Sequence, residues 1–303
     1  MSEKNCAVVV TYNRLELLKE CVQALRNQTR KLDEIIVVNN DSIDGTKEWL
    51  DEQKDLTKIH QENLGGAGGF HNGMKAAYEK GYDWIWLMDD DCLPEIDALE
   101  NLFTTELKSE VVLNSVVVTK TNTQQLNFGL DDYRNKKLYR TYNEIKKEKT
   151  IFSANFFNGS LIHKNVIEKI GFPNPLFFIY GDEYEYYLRI KSNSFPILTV
   201  VSSIVKHPVQ SHTYFGKGKF HHRFNFQTKM RTKYFPRNIF VISYLYTEIK
   251  IKRLIKTYIS DFYGIFFIQK EPLLIFSYIF SILSGPILLM RVKNHDQRFI
   301  AGL

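Results

Sequence analysis

Over the first hundred residues, short apolar runs alternate with stretches in which apolar side chains recur every three or four positions. Cys6 to Tyr12 is an apolar run of buried-strand length, and Asn13 and Arg14 open a helix that places Leu17, Leu18, Cys21, Val22 and Leu25 on one face. Asp33 to Val38 starts a second strand, followed by a polar turn from Asn39 to Thr46 and a helix over Lys47 to Gln53. Asn63 to Phe70 is a glycine loop leading into a helix from about His71 to Lys80. Trp84 to Met88 is again apolar and ends in Asp89, Asp90 and Asp91; a helix over Glu95 to Leu107 and a strand over Val111 to Thr119 follow. This alternation predicts an α/β fold with a Rossmann-like, mostly parallel sheet flanked by helices, and ligands beyond the carboxyl ends of its strands.

Residues 120 to 150 turn polar and read as a hairpin or insertion without chemistry of its own. From Ile151 the chain is aromatic, and the run Leu176 to Tyr180 passes through Gly181 into Asp182 and Glu183 at the start of a helix. A strand over Ile197 to Val205 puts His207 at another strand end. The organisation predicted is one large domain over 1–235 and a C-terminal basic, amphipathic helical region over 236–303.

Composition adds an ordinary globular core, with 44% hydrophobic residues in 303. Cys6, Cys21 and Cys92 form no metal-type pair and are expected to be reduced thiols in a cytoplasmic protein, and the polar N-terminus carries no signal-peptide pattern. The net charge of +6 is uneven: between Arg231 and Lys293, ten Lys and Arg stand against three acids. In the same region Leu273 to Met290 is uncharged for 18 residues, about 27 Å as a helix, though Ser277, Ser281 and Ser284 share a face and Gly285-Pro286 interrupt it. A helix lying in the interface of an anionic membrane, or packed on the domain, fits this better than a span; a homo-oligomer burying the same face is the alternative to membrane attachment. No nucleic-acid-binding motif accompanies the basic residues.

The candidate chemistry sits at the strand ends. Three consecutive aspartates repel one another unless a cation neutralises them, and carboxylate oxygens suit Mg²⁺ or Mn²⁺; one of them could instead cap the next helix. Asn63 to Phe70 fits neither a dinucleotide fingerprint nor a P-loop, yet its glycines allow a phosphate-bearing ligand close to backbone N–H groups.

Val8 to Arg14, the Asn39 to Thr46 turn, Asp89-Asp90-Asp91, and Asp182-Glu183 with Arg189 six residues after Glu183 together resemble the family 2 inverting nucleotide-sugar glycosyltransferases of GT-A fold, over about residues 6 to 240. The Asn63 to Phe70 loop is similar to that of the galactofuranosyl- and rhamnosyltransferase branch. The resemblance implies that Thr11, Tyr12, Arg14 and Asn40 line the nucleoside pocket, that Asn63, Gly65, Gly66 and Gly69 lie on the donor's diphosphate side, and that Asp90 is among the donor-binding residues. It further implies that Asp89, Asp91 and His207 hold Mn²⁺ or Mg²⁺, and that Glu183, with Asp182 beside it, supplies the catalytic base. Asn39 stands where the family commonly has Asp, and the acidic pair runs Asp-Glu rather than Glu-Asp, which leaves the base open between Asp182 and Glu183.

The expected reaction is inverting transfer of a sugar, galactofuranose from UDP-galactofuranose or else rhamnose from dTDP-rhamnose. The expected acceptor is a lipid-linked bacterial surface glycan such as an O-antigen or capsule chain, at the inner face of the cell membrane. A sugar nucleotidyltransferase commonly has glycines directly after its first strand, and Thr11 to Arg14 contain none. A non-catalytic glycan-binding scaffold would have no need of acidic clusters at each of these places.

Overall fold

A computed structural model describes residues 3–104, 109–209, 213–215, 222–224, 227–246 and 251–301. The chain divides into two compact units, Met1–Pro175 with Tyr186–Val209, and Leu176–Glu185 with Gln210–Leu303.

The first unit opens with the expected alternation: β1 (Asn5–Thr11), α1 (Leu15–Arg26), β2 (Glu34–Asn40), α2 (Thr46–Glu52), β3 (Leu56–Gln61), α3 (Gly65–Glu79) and β4 (Trp84–Asp89). It continues through β5 (Leu93–Pro94), α4 (Ala98–Phe103), β6 (Val112–Thr119), β7 (Asn122–Asp132), β8 (Lys137–Thr141), β9 (Thr150–Ile151), β10 (Asn158–His163) and α5 (Lys164–Ile170). It ends with most of α6 (Asp182–Ser192) and with β11 (Ile197–His207). The main sheet runs β3-β2-β1-β4-β10-β6-β11-β5. Its first four strands are parallel, but β10 lies antiparallel between β4 and β6, so the sheet is mixed rather than mostly parallel. The helix expected over Glu95 to Leu107 is shorter, and its last residues lie outside the described ones.

Burial on both faces explains the unbroken apolar runs. Trp84, Trp86 and Met88 of β4 face a layer with Leu18, Cys21, Val22 and Leu25 of α1, while Ile85 and Leu87 face Phe70, Met74 and Ala77 of α3. Each such side chain contributes roughly 1.5–3 kcal/mol by burial. The glycine stretch is the first turns of α3 and not a loop that ends near His71. A Cβ at Gly69 would stand 2.4 Å from Val10 Cγ1, and one at Gly73 2.4 Å from Val8 Cγ1. Close approach of helix to strand offsets the roughly 1 kcal/mol that each glycine costs a helix.

Residues 120–150 do form a hairpin, β7 against β8, whose Leu126, Leu130 and Tyr139 pack with Val116 and Val118 of β6 and Val201 of β11.

The second unit holds the start of α6, a backbone hairpin of β12 (Thr213–Phe215) and β13 (His222–Phe224), and the helices α7 (Lys229–Leu245), α8 (Ile251–Tyr263) and α9 (Leu273–Ala301), with a π-helical turn over Gly264–Gln269. A division between residues 235 and 236 falls inside α7, at Pro236. Proline removes a donor from a helix and breaks its ladder locally. Here Ser281 Oγ of α9 fills the gap: it donates to Lys233 O (2.7 Å) and accepts from Arg237 N (3.2 Å). Thr232 Oγ1 donates to Ser277 Oγ, and Gly285 lets Phe240 approach so closely that a Cβ would lie 2.7 Å from its ring. The serine face of α9 is thus its contact with α7.

Candidate active site

Three loops at the carboxyl ends of β1, β2 and β4 are bound to one another by short polar side chains. Asn13 and Asp41 adopt left-handed backbone conformations that Asn and Asp tolerate. Asn13 N donates to Ser42 Oγ (2.9 Å), Ile43 N to Asn13 Oδ1 (2.8 Å) and Leu15 N to Asp44 Oδ2 (2.9 Å). The last bond also satisfies an open N–H at the start of α1. Held this way, Tyr12 stays 46% exposed and offers a ring face at the strand end.

Asn40 and Asn63 are internal ties. Asn40 Nδ2 donates to Gly65 O (3.1 Å), Asn40 Oδ1 accepts from Gln61 Nε2 (2.7 Å), and Asn63 Oδ1 accepts from Gly65 N (2.9 Å). Asn40 is buried and ties the end of β2 to the mouth of α3. Gly65 takes a positive φ there, and Gly69 serves packing against Val10.

Beyond β4 the acidic triplet does not wait for an outside cation. Arg14 Nη1 donates to Asp90 Oδ1 (3.2 Å) and Asp91 Oδ2 (2.8 Å), and Thr11 Oγ1 to Asp90 Oδ2 (2.8 Å). Burial nevertheless pushes the Asp90 carboxyl up to about 6, against the pull of Arg14 and Thr11. Asp91 goes the other way: burial acts to raise it, but the imidazole of His207 and the charge of Arg14 hold it below its ordinary value. His207 is raised, since Asp91 outweighs the burial that would lower it.

His207 ends β11, as its place after the strand predicted. Its Nδ1 donates to Pro208 O (2.7 Å) and has Asn127 Nδ2 at 2.8 Å, and the Phe128 ring packs edge-on against the imidazole. Nε2 then points at Asp91 Oδ1, 3.1 Å away. That oxygen is buried and accepts no hydrogen bond of good geometry. A buried carboxylate oxygen whose neighbour is an imidazole nitrogen is a donor pair that suits a divalent cation. Asp89 closes the strand itself, and among the described residues no three His, Cys, Asp or Glu side chains converge on one metal position. Of Asp89, Asp91 and His207, the structure brings Asp91 and His207 together.

Asp182 and Glu183 belong to the second unit. Phe178, Tyr180 and Gly181 all have positive φ, so the segment before α6 is tightly coiled. Asn238 of α7, fully buried, directs Nδ2 at Phe177 O (2.8 Å), Ile179 O (3.0 Å) and Tyr180 O (3.0 Å). Asp182 is buried at the start of α6; Glu183 is exposed and takes a hydrogen bond at Oε2 from Gly181 N (3.0 Å). A third carboxylate, Glu185, is buried and accepts from Tyr246 Oη (2.7 Å). Arg189 lies in the first unit, where Nη1 donates to Ile170 O and Phe172 O.

Asn127, Gln61 and Asn238 were not singled out by sequence reasoning. Asn127, in the stretch 120–150 read as without chemistry, stands with Nδ2 2.8 Å from His207 Nδ1. Single polar residues on a hairpin, a strand end and a helix have no spacing that marks them.

The profile of the family described as glycosyl transferase family 2 matches residues 6–171. A galactofuranosyltransferase GlfT1 of Mycolicibacterium smegmatis is 34% identical over 218 residues, covering 68% of this chain and 72% of that protein. The corresponding protein of Mycobacterium tuberculosis is 34% identical over 222 residues, 70% and 72% of the two chains. An undecaprenyl-phosphate mannosyltransferase of Micrococcus luteus is 29% identical over 113 residues, 36% and 46% of the two. Among solved structures, S. aureus TarS superposes with a TM-score of 0.56 at 12% identity over 84% of this chain. GalNAc-T7 with UDP, GalNAc and Mn²⁺ superposes with a TM-score of 0.53 at 16% identity over 69%. The chain spans 42% and 43% of those two structures' lengths, and the likeness is one of fold.

Proposed function

Taking as premise that this chain belongs to glycosyl transferase family 2, we propose that it transfers galactofuranose from UDP-galactofuranose to a lipid-linked bacterial surface glycan, with inversion, at the inner face of the cell membrane. The identity to galactofuranosyltransferases over most of both chains supports the choice of sugar. The observation that carries the chemistry is the buried Asp91 carboxylate oxygen facing His207 Nε2 at 3.1 Å, beyond the end of β4.

Asp91 and His207, with Asp89 beside them, would hold Mn²⁺ or Mg²⁺, which when bound offsets charge on the departing diphosphate. Substrate phosphates commonly complete such a shell, so a full set of protein ligands is not required. Tyr12 offers its ring to the base, Arg14 its guanidinium to the donor side, and Asn40 and Asn63 keep the mouth of α3 open to the diphosphate. Thr11 and Arg14 hold Asp90, leaving Asp91 to face His207. Glu183 or Asp182 accepts the proton of the attacking acceptor hydroxyl, and one displacement reverses the anomeric configuration.

The test is nucleotide release by the purified protein from UDP-galactofuranose, dTDP-rhamnose and GDP-mannose, each with Mn²⁺ and with EDTA. Metal-dependent release of UDP at the highest rate supports the proposal; dTDP release at the highest rate reassigns the donor, and release that EDTA leaves unchanged removes the metal.

A further inference from the structure

Helix α9 is apolar on the side it does not use for packing. Ser277, Ser281 and Gly285 face α7, while Leu273, Phe276, Phe280, Leu283, Ile287 and Met290 are all exposed and fall within an arc of about 100°. Helix α8 repeats the arrangement: Ile251, Ile255, Ile259 and Tyr263 are exposed one turn apart, and Phe266 and Phe267 follow on the π-helical turn. A soluble monomer seldom shows so many contiguous large apolar side chains to water.

The charges around these residues select the occupant. Lys252 and Lys256 border the isoleucine stripe of α8, with Arg253 just beyond and Lys270 before α9, all exposed; Asp261 is turned inward and bonded to Tyr278 Oη (2.6 Å). Long cationic side chains beside an apolar stripe can extend to phosphate while the stripe enters the acyl boundary.

Segment Leu273–His295 has the length and hydropathy of a span. Its neighbour opposes that reading. Ser281, near the middle of the segment, bonds the α7 backbone at Lys233 and Arg237. A bilayer centred on α9 would draw both cations toward its core, at about 2.5–3.5 kcal/mol each.

We infer that the exposed faces of α8, the π-helical turn and α9 form an interfacial docking surface for anionic lipid, entering one leaflet without crossing it. This rests on the membrane attachment proposed above and names the surface and depth that produce it. The loop carrying Asp182 and Glu183 belongs to the same unit and is tied by Asn238 to α7, on which α9 packs. Docking therefore brings the unit that holds the proposed base to a lipid-linked acceptor.

The experiment is flotation of the full chain with vesicles of phosphatidylethanolamine and phosphatidylglycerol (7:3), against pure phosphatidylcholine, for wild type, Phe276→Glu/Phe280→Glu and Lys252→Glu/Lys256→Glu. UDP binding and the thermal midpoint report folding of each variant. The inference expects wild type to float with anionic vesicles only and to be released by 0.5 M NaCl or alkaline carbonate. Both variants should lose at least about tenfold in partitioning while still binding UDP. Floating variants would place attachment elsewhere and overturn the docking surface while leaving attachment intact. Carbonate-resistant wild type means a span and overturns the interfacial depth. Wild type that does not float ends both readings, and if it sediments as a dimer that Phe276→Glu/Phe280→Glu dissociates, the occupant is a second copy.

Discussion

His207 Nε2 lies 3.1 Å from Asp91 Oδ1, a buried carboxylate oxygen that accepts no hydrogen bond of good geometry. The other imidazole nitrogen donates to Pro208 O, which sets the ring's orientation, and Asn127 stands beside it. Asp91→Asn should therefore abolish Mn²⁺-dependent UDP binding in calorimetry. Asn127→Ala, which leaves both proposed ligands in place, should weaken Mn²⁺ by about tenfold by loosening the packing behind the imidazole. Unchanged UDP binding by Asp91→Asn, with and without Mn²⁺, would remove the pair from the metal site.

A second prediction concerns Asn238, whose amide meets three carbonyls of the coiled segment before Asp182. Asn238→Ala leaves them buried without a donor, a cost of about 1–3 kcal/mol at the segment. Asn238→Asp aims acceptor at acceptor and should be worse. Both should lower kcat for sugar transfer while the affinity for UDP, which the proposal assigns to the other unit, stays within about twofold. Equal loss of UDP affinity would show that Asn238 supports the whole chain and not this segment.

How much of this was legible in the sequence follows from periodicity. The parallel half of the sheet was readable because strands buried on both faces leave unbroken apolar runs, as at Val8 to Val10 and Trp84 to Met88. The antiparallel insertion of β10 was not, because strand direction leaves no trace in such a run. The glycines at 65, 66, 68 and 69 read as a loop, since glycine disfavours helix; close packing on Val10 overrides that preference. Aspartates at 89–91 and His207 were marked by their place at strand ends. Arg14 as their counter-charge was not, because its reach to Asp90 and Asp91 depends on the parallel pairing of β1 with β4.

Asp261 gives a pH prediction. It is buried against Tyr278 Oη, and burial holds its carboxyl above the ordinary value. With the folded value raised, the native state binds the proton more tightly than the unfolded state, so this group's contribution to stability falls as pH rises through and above the ordinary carboxylate range. Asp261→Asn keeps an acceptor for Tyr278 and removes the ionisation. Its thermal midpoint should exceed that of the wild type at pH 7.5, with the difference closing toward pH 4. A difference independent of pH would mean that Asp261 is not the group responsible.

The most direct test of inverting galactofuranosyl transfer with a carboxylate base is the anomeric configuration of the product made from UDP-galactofuranose, read by NMR for wild type, Glu183→Gln and Asp182→Asn. Wild type should give the configuration opposite to the donor's. One of the two variants should slow transfer by about 10²- to 10⁴-fold with UDP affinity unchanged, Glu183→Gln if the exposed carboxylate is the base and Asp182→Asn if the buried one is. A product that retains the donor's configuration, or full transfer by both variants, would contradict the account.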